Sequence, residues 1–246
     1  MKFLVPLLTL AALPHLVAAQ AAPPRPDSAR VVVLPDAIIS GKITRLVVAT
    51  GDLKRNASHG IMPGGGFAVL FGAPRRGYHM LSSIRVHLDA PGSIREGQLR
   101  VRVASMAPGG GPDPGDLLPT PLILTTETLQ HARKNLLLSW PDSRILVPEG
   151  GFFLVVEGLS NQPDEYVSGV RSPTTSREIP RYELSRRDQP TAPLRVVAFR
   201  DLPVLLGAVP AAAGAEGWHK DAATQQWRRD RDYAGRSVVF LEAVFE

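Results

Sequence analysis

Between residues 84 and 158, apolar and polar side chains alternate with a period of two. In Ile84-Arg85-Val86-His87-Leu88-Asp89 the apolar residues fall on one face and the polar ones on the other. A Pro91-Gly92 turn follows, and Gln98-Leu99-Arg100-Val101-Arg102-Val103 repeats the pattern. Successive side chains of an extended chain point to opposite faces, so both runs read as half-buried antiparallel strands with their arginines in water. Leu136-Leu137-Leu138 and residues 152–156 are uninterrupted apolar runs instead, which predicts strands buried on both faces. Pro148-Glu149-Gly150-Gly151 is the turn that feeds the second of them.

Shorter strand patterns flank this stretch at 29–34, 43–49, 67–71, 78–81, 194–199, 204–209 and 237–245. Residues 51–60 are polar and read as a connection, with Asn56-Ala57-Ser58 matching a glycosylation sequon. Gly64-Gly65-Gly66 leads into a strand rather than a helix and lacks a following Lys-Ser or Lys-Thr, so it reads as a turn and not a phosphate cradle. Residues 107–121 form a Gly/Pro loop. Residues 160–193 are polar and carry Arg171, Arg177, Arg181, Arg186 and Arg187; a connection of that length is either functional or unstructured. Only 126–134 has the look of a helix, of a turn or two. Residues 218–236 suggest a hairpin with Trp218, Trp227 and a charged rim. The sum is an all-β, antiparallel β-sandwich of jelly-roll type, one domain from 29 to 246.

The N-terminus adds a destination. Lys2, the apolar run 3–13 and Val17-Ala18-Ala19 form a secretory signal peptide over residues 1–19, cleaved before Gln20. A Pro/Ala-rich flexible leader, 20–28, follows. Export to the periplasm, the outer surface or the medium is expected. No later run reaches about 18 apolar residues, so no transmembrane segment is expected in the mature chain. The chain has no cysteine, which excludes disulfides, thiolate metal sites, a Cys nucleophile and a lipid-bearing N-terminal thiol. With 22 Gly and 23 Pro, turns between short strands are plentiful. The 28 basic and 23 acidic residues leave a net charge of +5, too modest and too scattered along strands to suggest a nucleic-acid partner.

Three segments carry a family pattern: Leu99-Arg100-Val101-Arg102-Val103, the loop ending Pro114-Gly115-Asp116-Leu117-Leu118-Pro119, and Val147-Pro148-Glu149-Gly150-Gly151 running on to Glu157. Together they resemble a group of uncharacterised exported bacterial proteins, themselves similar to the β-sandwich domains found beside carboxypeptidase-regulatory-like modules in Gram-negative envelope proteins. The likeness covers residues 67–158, with support from Trp218, Trp227 and the terminal strand. Ala104 stands where that group usually carries an aromatic residue. The resemblance implies an envelope-associated sandwich and transfers no catalytic residues.

The residues themselves offer few candidates for chemistry. Asp113 and Asp116 share a Gly/Pro loop and are candidate ligands for a hard cation, although the loop lacks the spaced oxygens of known Ca²⁺ loops. Glu157 with Asp164 and Glu165 could supply the carboxylate pair of a polysaccharide hydrolase. The six histidines, His15, His59, His79, His87, His131 and His219, never fall at metal-ligand spacing. Ser139 and Ser185 lack a nucleophile-elbow context, and no cofactor is implied. Trp218, Trp227, Arg228, Arg229 and Tyr233 make the best candidate binding surface, because aromatic rings stack on sugar faces and arginines pair with acidic groups. The leading expectation is an exported, non-catalytic module that binds or assembles envelope components, a glycan or a protein. A carboxylate-based hydrolase and a structural surface or matrix protein are the alternatives.

Overall fold

The computed structural model describes residues 45–72, 80–140, 145–162, 164–171, 175, 178–189, 191, 193–210, 216–230 and 238–246, without the side chains of 55, 56, 209 and 210. All of them belong to one compact unit, 43–246. The expected signal peptide and leader, the strand expected at 29–34, His15, His79, Arg177 and Tyr233 lie outside the described residues.

The strands in chain order are β1 (Leu46–Ala49), β2 (Gly51–Gly60), β3 (Gly66–Phe71), β4 (Met80–His87), β5 (Gln98–Ala104) and β6 (Leu122–Leu124). After helix α1 (Thr126–His131) come β7 (Asn135–Ser139), β8 (Ile145–Leu146), β9 (Phe152–Leu159), β10 (Glu165–Arg171), β11 (Arg181–Arg186) and β12 (Arg195–Ala198). The chain ends with β13 (Val204–Pro210), β14 (Glu216–Lys220), β15 (Trp227–Arg229), β16 (Val238–Val239) and β17 (Leu241–Phe245).

One sheet runs β1-β17-β4-β7, with β8 also on β4, and the other runs β15-β14-β3-β9-β5-β6. Every pair of named strands is antiparallel. Consider only β1, β3, β4, β5, β6, β7, β9 and β17. The first of these pairs with the last, followed by the third and sixth; the second pairs with the seventh, followed by the fourth and fifth. That is the double Greek key of a jelly roll. The all-β antiparallel sandwich read from the sequence is the fold of the described chain.

The period-two alternation fills the space between the sheets. Leu99, Val101 and Val103 of β5 and Phe152, Leu154 and Val156 of β9 share one core with Ile84, Val86, Leu241 and Phe245 from the opposite sheet. Phe152 and Phe245 meet edge-on across the layers, ring centroids 6.0 Å apart. The two alternating runs that open the sequence reading therefore do not pair with each other: β4 and β5 lie in different sheets. Strand β9 is buried on both faces, as its apolar run predicts, because a second apolar cluster of Ala68, Ala104, Phe153 and Val155 covers its other side.

Three sequence expectations need correction. The triple leucine belongs to the edge region of its sheet, and Leu137 on its outer face is 53% exposed, so β7 is buried on one face only. Residues 51–60 form a strand, β2, which pairs with β13 across a register break after Leu206. Its polarity conceals it, because what holds it is mainly backbone pairing. The polar span 160–193 contributes β10 and β11, which with β12 build a three-stranded sheet. The expected short helix is α1, capped by the Thr125 side chain, which accepts from the Thr128 N–H, and anchored by buried Leu129. Among the described residues no helix is long and apolar enough to cross a membrane.

Candidate functional site

The outer face of the six-stranded sheet carries one unbroken cross-strand row. In register, Trp227 (β15) stands beside Lys220 (β14), Lys220 beside Gly66 (β3), Gly66 beside Glu157 (β9) and Glu157 beside Arg100 (β5). Glycine at the centre has a physical purpose. A Cβ at Gly66 would lie 3.0 Å from the Val156 carbonyl oxygen and 3.2 Å from Glu157 Cγ. With no side chain there, Lys220 reaches across β3, and its Nζ donates to Glu157 Oε1 at 2.8 Å.

The neighbouring row is Arg229, Trp218, Ala68, Val155 and Arg102. From it, Arg102 leans diagonally onto the first row and donates from Nε to Glu157 Oε2 at 3.0 Å. Its Nη1 donates to the carbonyls of Asp113, Pro114 and Gly115 at 3.1, 3.0 and 2.8 Å. The Gly/Pro loop is thereby tied down over the sheet, and Arg102 is only 3% exposed. Solvated strand arginines were expected here; Arg102 is instead a buried post under a loop. The loop also covers Trp218, since a Cβ on Gly111 would come within 3.2 Å of the Trp218 ring.

Arg100, Arg102, Glu157, Lys220, Gln225 and Trp227 line a cavity of about 300 Å³, with Pro112 and Pro114 of the loop at its side. Burial alone would raise the Glu157 pKa. The hydrogen bond from Lys220 and the charges of Arg102 and Lys220 outweigh it and hold the carboxyl below its usual 4.5, so Glu157 is an anion at neutral pH. Gln225 holds the cavity rim by donating from Nε2 to the carbonyls of Gly64 (2.8 Å) and Ala222 (2.7 Å). The β14–β15 turn is fixed by Asp221, whose Oδ1 accepts from the Ala223 and Thr224 N–H groups at 3.1 and 2.7 Å. Arg100 differs from its neighbours. Its Nε is buried and meets no hydrogen-bond partner.

The residues singled out in the sequence separate. Trp227 is a wall of the cavity, with the Lys220 ammonium 6.0 Å from its ring centroid. Trp218 packs edge-on against Phe153, centroids 6.1 Å apart, and belongs to the apolar cluster behind the loop. Arg229 is paired with Glu216. Arg228 stands opposite His219, on the other face of the hairpin from Trp227, and is exposed. Tyr233 is outside the described residues. Asp113 and Asp116 hold backbone: Asp113 Oδ1 accepts from Gly115 N–H at 2.8 Å, and Asp116 Oδ1 from Val103 and Leu118 N–H at 3.2 and 3.0 Å. Among the described residues no three metal-ligating side chains gather.

Glu165, considered with Glu157 as a carboxylate pair, lies in a different cluster. Burial works against its charge, but hydrogen bonds from Arg195 and Ser160 and the Arg195 charge prevail and hold it below 4.5. Asp164 takes a left-handed turn (φ 64°) just before β10.

Sequence reading missed Arg100, Arg102, Lys220 and Gln225. One available signal was period two itself, which puts Lys220 on the same face as Trp218 and Arg100 on the same face as Arg102. What one-dimensional pattern could not supply was the strand order that sets β14, β3, β9 and β5 side by side.

The described chain is thus a jelly-roll sandwich with a basic, aromatic-walled cavity on the outer face of one sheet. Comparison with protein-family models, curated proteins and solved structures finds no match.

Proposed function

We propose that this chain is an exported, non-catalytic β-sandwich module that binds a glycan of the cell envelope. The observation that carries the reading is the row Trp227–Lys220–Gly66–Glu157–Arg100 on an open sheet face, beneath a cavity of about 300 Å³. An indole ring offers the apolar C–H face of a sugar a stacking platform, and hydroxyls are met by charged donors and acceptors held rigid by one another. The size is at the low end for a ligand pocket and suits one or two sugar rings. The signal peptide of residues 1–19 supports a destination among envelope glycans.

A hydrolase is the runner-up, and the carboxylates argue against it. Glycoside cleavage needs one carboxyl kept protonated to serve as general acid. Glu157 and Glu165 are both shifted the other way.

The test is a titration of the purified chain beginning at Gln20 against immobilised neutral and acidic oligosaccharides. Wild type is expected to bind a subset. Trp227→Ala, which removes the platform, should weaken that binding by about tenfold or more, while circular dichroism shows an unchanged fold. Absence of binding to every saccharide of the panel, or undiminished binding by Trp227→Ala, defeats the reading.

A further inference from the structure

The cavity is not electrically balanced. Among its lining residues, Arg100, Arg102 and Lys220 face a single carboxylate, that of Glu157. Both oxygens of Glu157 are occupied, Oε1 by Lys220 and Oε2 by Arg102. Nη1 of Arg102 is directed into the loop carbonyls. Of the three lining cations, Arg100 is the one that makes no hydrogen bond among the described residues. Its register partners are Glu157 on one side and Ile123 on the other, and its Nε is buried with no acceptor. A buried donor without a partner is costly, and a guanidinium presents its N–H groups as a planar fork that matches a carboxylate in two parallel bonds.

We propose that the ligand is an acidic saccharide whose carboxylate sits on Arg100 while a sugar ring lies against Trp227. The proposal rests on the glycan reading above and adds the charge and the anchoring residue. Lys220, between the two and bonded to Glu157, adds attraction without a fixed fork, because an ammonium is a compact point charge. Trp227 and Arg100 are separated in the row by β14, β3 and β9, three strand spacings plus one, or roughly 19 Å between backbones at about 4.8 Å per spacing. Both side chains line the one cavity, so the match is to a saccharide of at least two rings with its acid group away from the stacked ring.

The test uses uronic-acid oligosaccharides (galacturonate, glucuronate and alginate types), each paired with its carboxyl-reduced counterpart, titrated into wild type, Arg100→Gln and Trp227→Ala. The acidic member of at least one pair should bind wild type about tenfold tighter than its reduced form, with the margin shrinking as salt rises. Arg100→Gln should weaken the acidic member far more than the reduced one and so erase that margin, and Trp227→Ala should weaken both members alike. Equal binding within every pair, or a preference that survives in Arg100→Gln, overturns the proposal and leaves the glycan reading standing. Binding by a sugar phosphate in place of every uronate overturns it as well. Loss of all saccharide binding, acidic and neutral, defeats both.

Discussion

Two arginine–carboxylate clusters in this chain differ in stoichiometry and in what lies beside them. Around Arg195, the guanidinium meets two carboxylates: Nε and Nη2 donate to Glu165, and Nη1 and Nη2 donate to Glu96 at 2.5 and 3.0 Å. Nη2 also donates to Ser160 Oγ at 3.2 Å. This cluster ties β12 and β10 to the segment preceding β5, and Arg195 has a use for every nitrogen; the two hydrogen-bonded carboxylates push its pKa up. Around Glu157 the ratio is inverted: one carboxylate, two bonded cations and a third opposite, with a cavity above them. Both clusters perturb pKa values, so perturbation does not separate structure from function. What separates them is completeness. A cluster with its hydrogen bonds closed holds strands together, and the one with an unanswered cation beside a cavity is where a ligand is proposed to sit.

The sharpest way to break the comparison is to remove the acid at the centre of the basic cluster. Glu157→Gln leaves Arg102, which is almost wholly buried, and Lys220 without a counter-charge, and should cost about 3–5 kcal/mol in urea unfolding. Next is Arg195→Ala, which strands Glu165, whose side chain is 1% exposed, and Glu96 beside each other. About a quarter of the Arg195 side chain is in water (26%), so the loss should fall at the lower end, about 3 kcal/mol. Saccharide binding by the folded fraction should be unaffected. If Arg195→Ala abolished binding while Glu157→Gln left it intact, the assignment of the two clusters would be reversed.

Acid sharpens the same contrast. Both Glu157 and Glu165 have folded pKa values below 4.5. The stability each contributes is therefore fully present above about pH 4.5 and is lost as pH falls through the lowered folded value. Urea midpoints measured from neutral pH downward should stay level to about 4.5 and then fall. Glu157→Gln and Glu165→Gln should each flatten part of that decline. A decline that begins well above pH 5 in wild type would show that other groups control it.

The sequence made the core legible because burial leaves a period. Leu99, Val101 and Val103 alternate with Arg100 and Arg102, and Phe152 to Val156 run unbroken where both faces are covered. The sandwich follows from those residues. Strand β2 was illegible for the opposite reason: Gly51-Asp52-Leu53-Lys54 pairs with β13 through backbone groups, which every sequence possesses. Strands β10 and β11 were hidden by arginines. Half of the site was visible in Trp227, an aromatic with charged neighbours, and in Glu157. The other half depended on adjacency: Lys220 and Glu157 are 63 positions apart and meet only because Gly66 stands between their strands.

The smallest expected effect tests the comparison most closely. Arg100→Gln removes the one cation lining the cavity that makes no hydrogen bond among the described residues. It loses attraction to Glu157 across the strand pair and gains relief from repulsion by Lys220 and Arg102, and these contributions oppose each other. It also removes a buried donor that has no acceptor. Stability should therefore change by no more than about 0.5 kcal/mol in either direction, the range of substitutions that touch no closed network. A loss above about 2 kcal/mol in urea unfolding would place Arg100 in the same class as Arg195 and remove the contrast on which the proposed binding site rests. A residue that the fold could lose at almost no cost, in a cavity beside an aromatic wall, is what the proposed acid-binding role predicts.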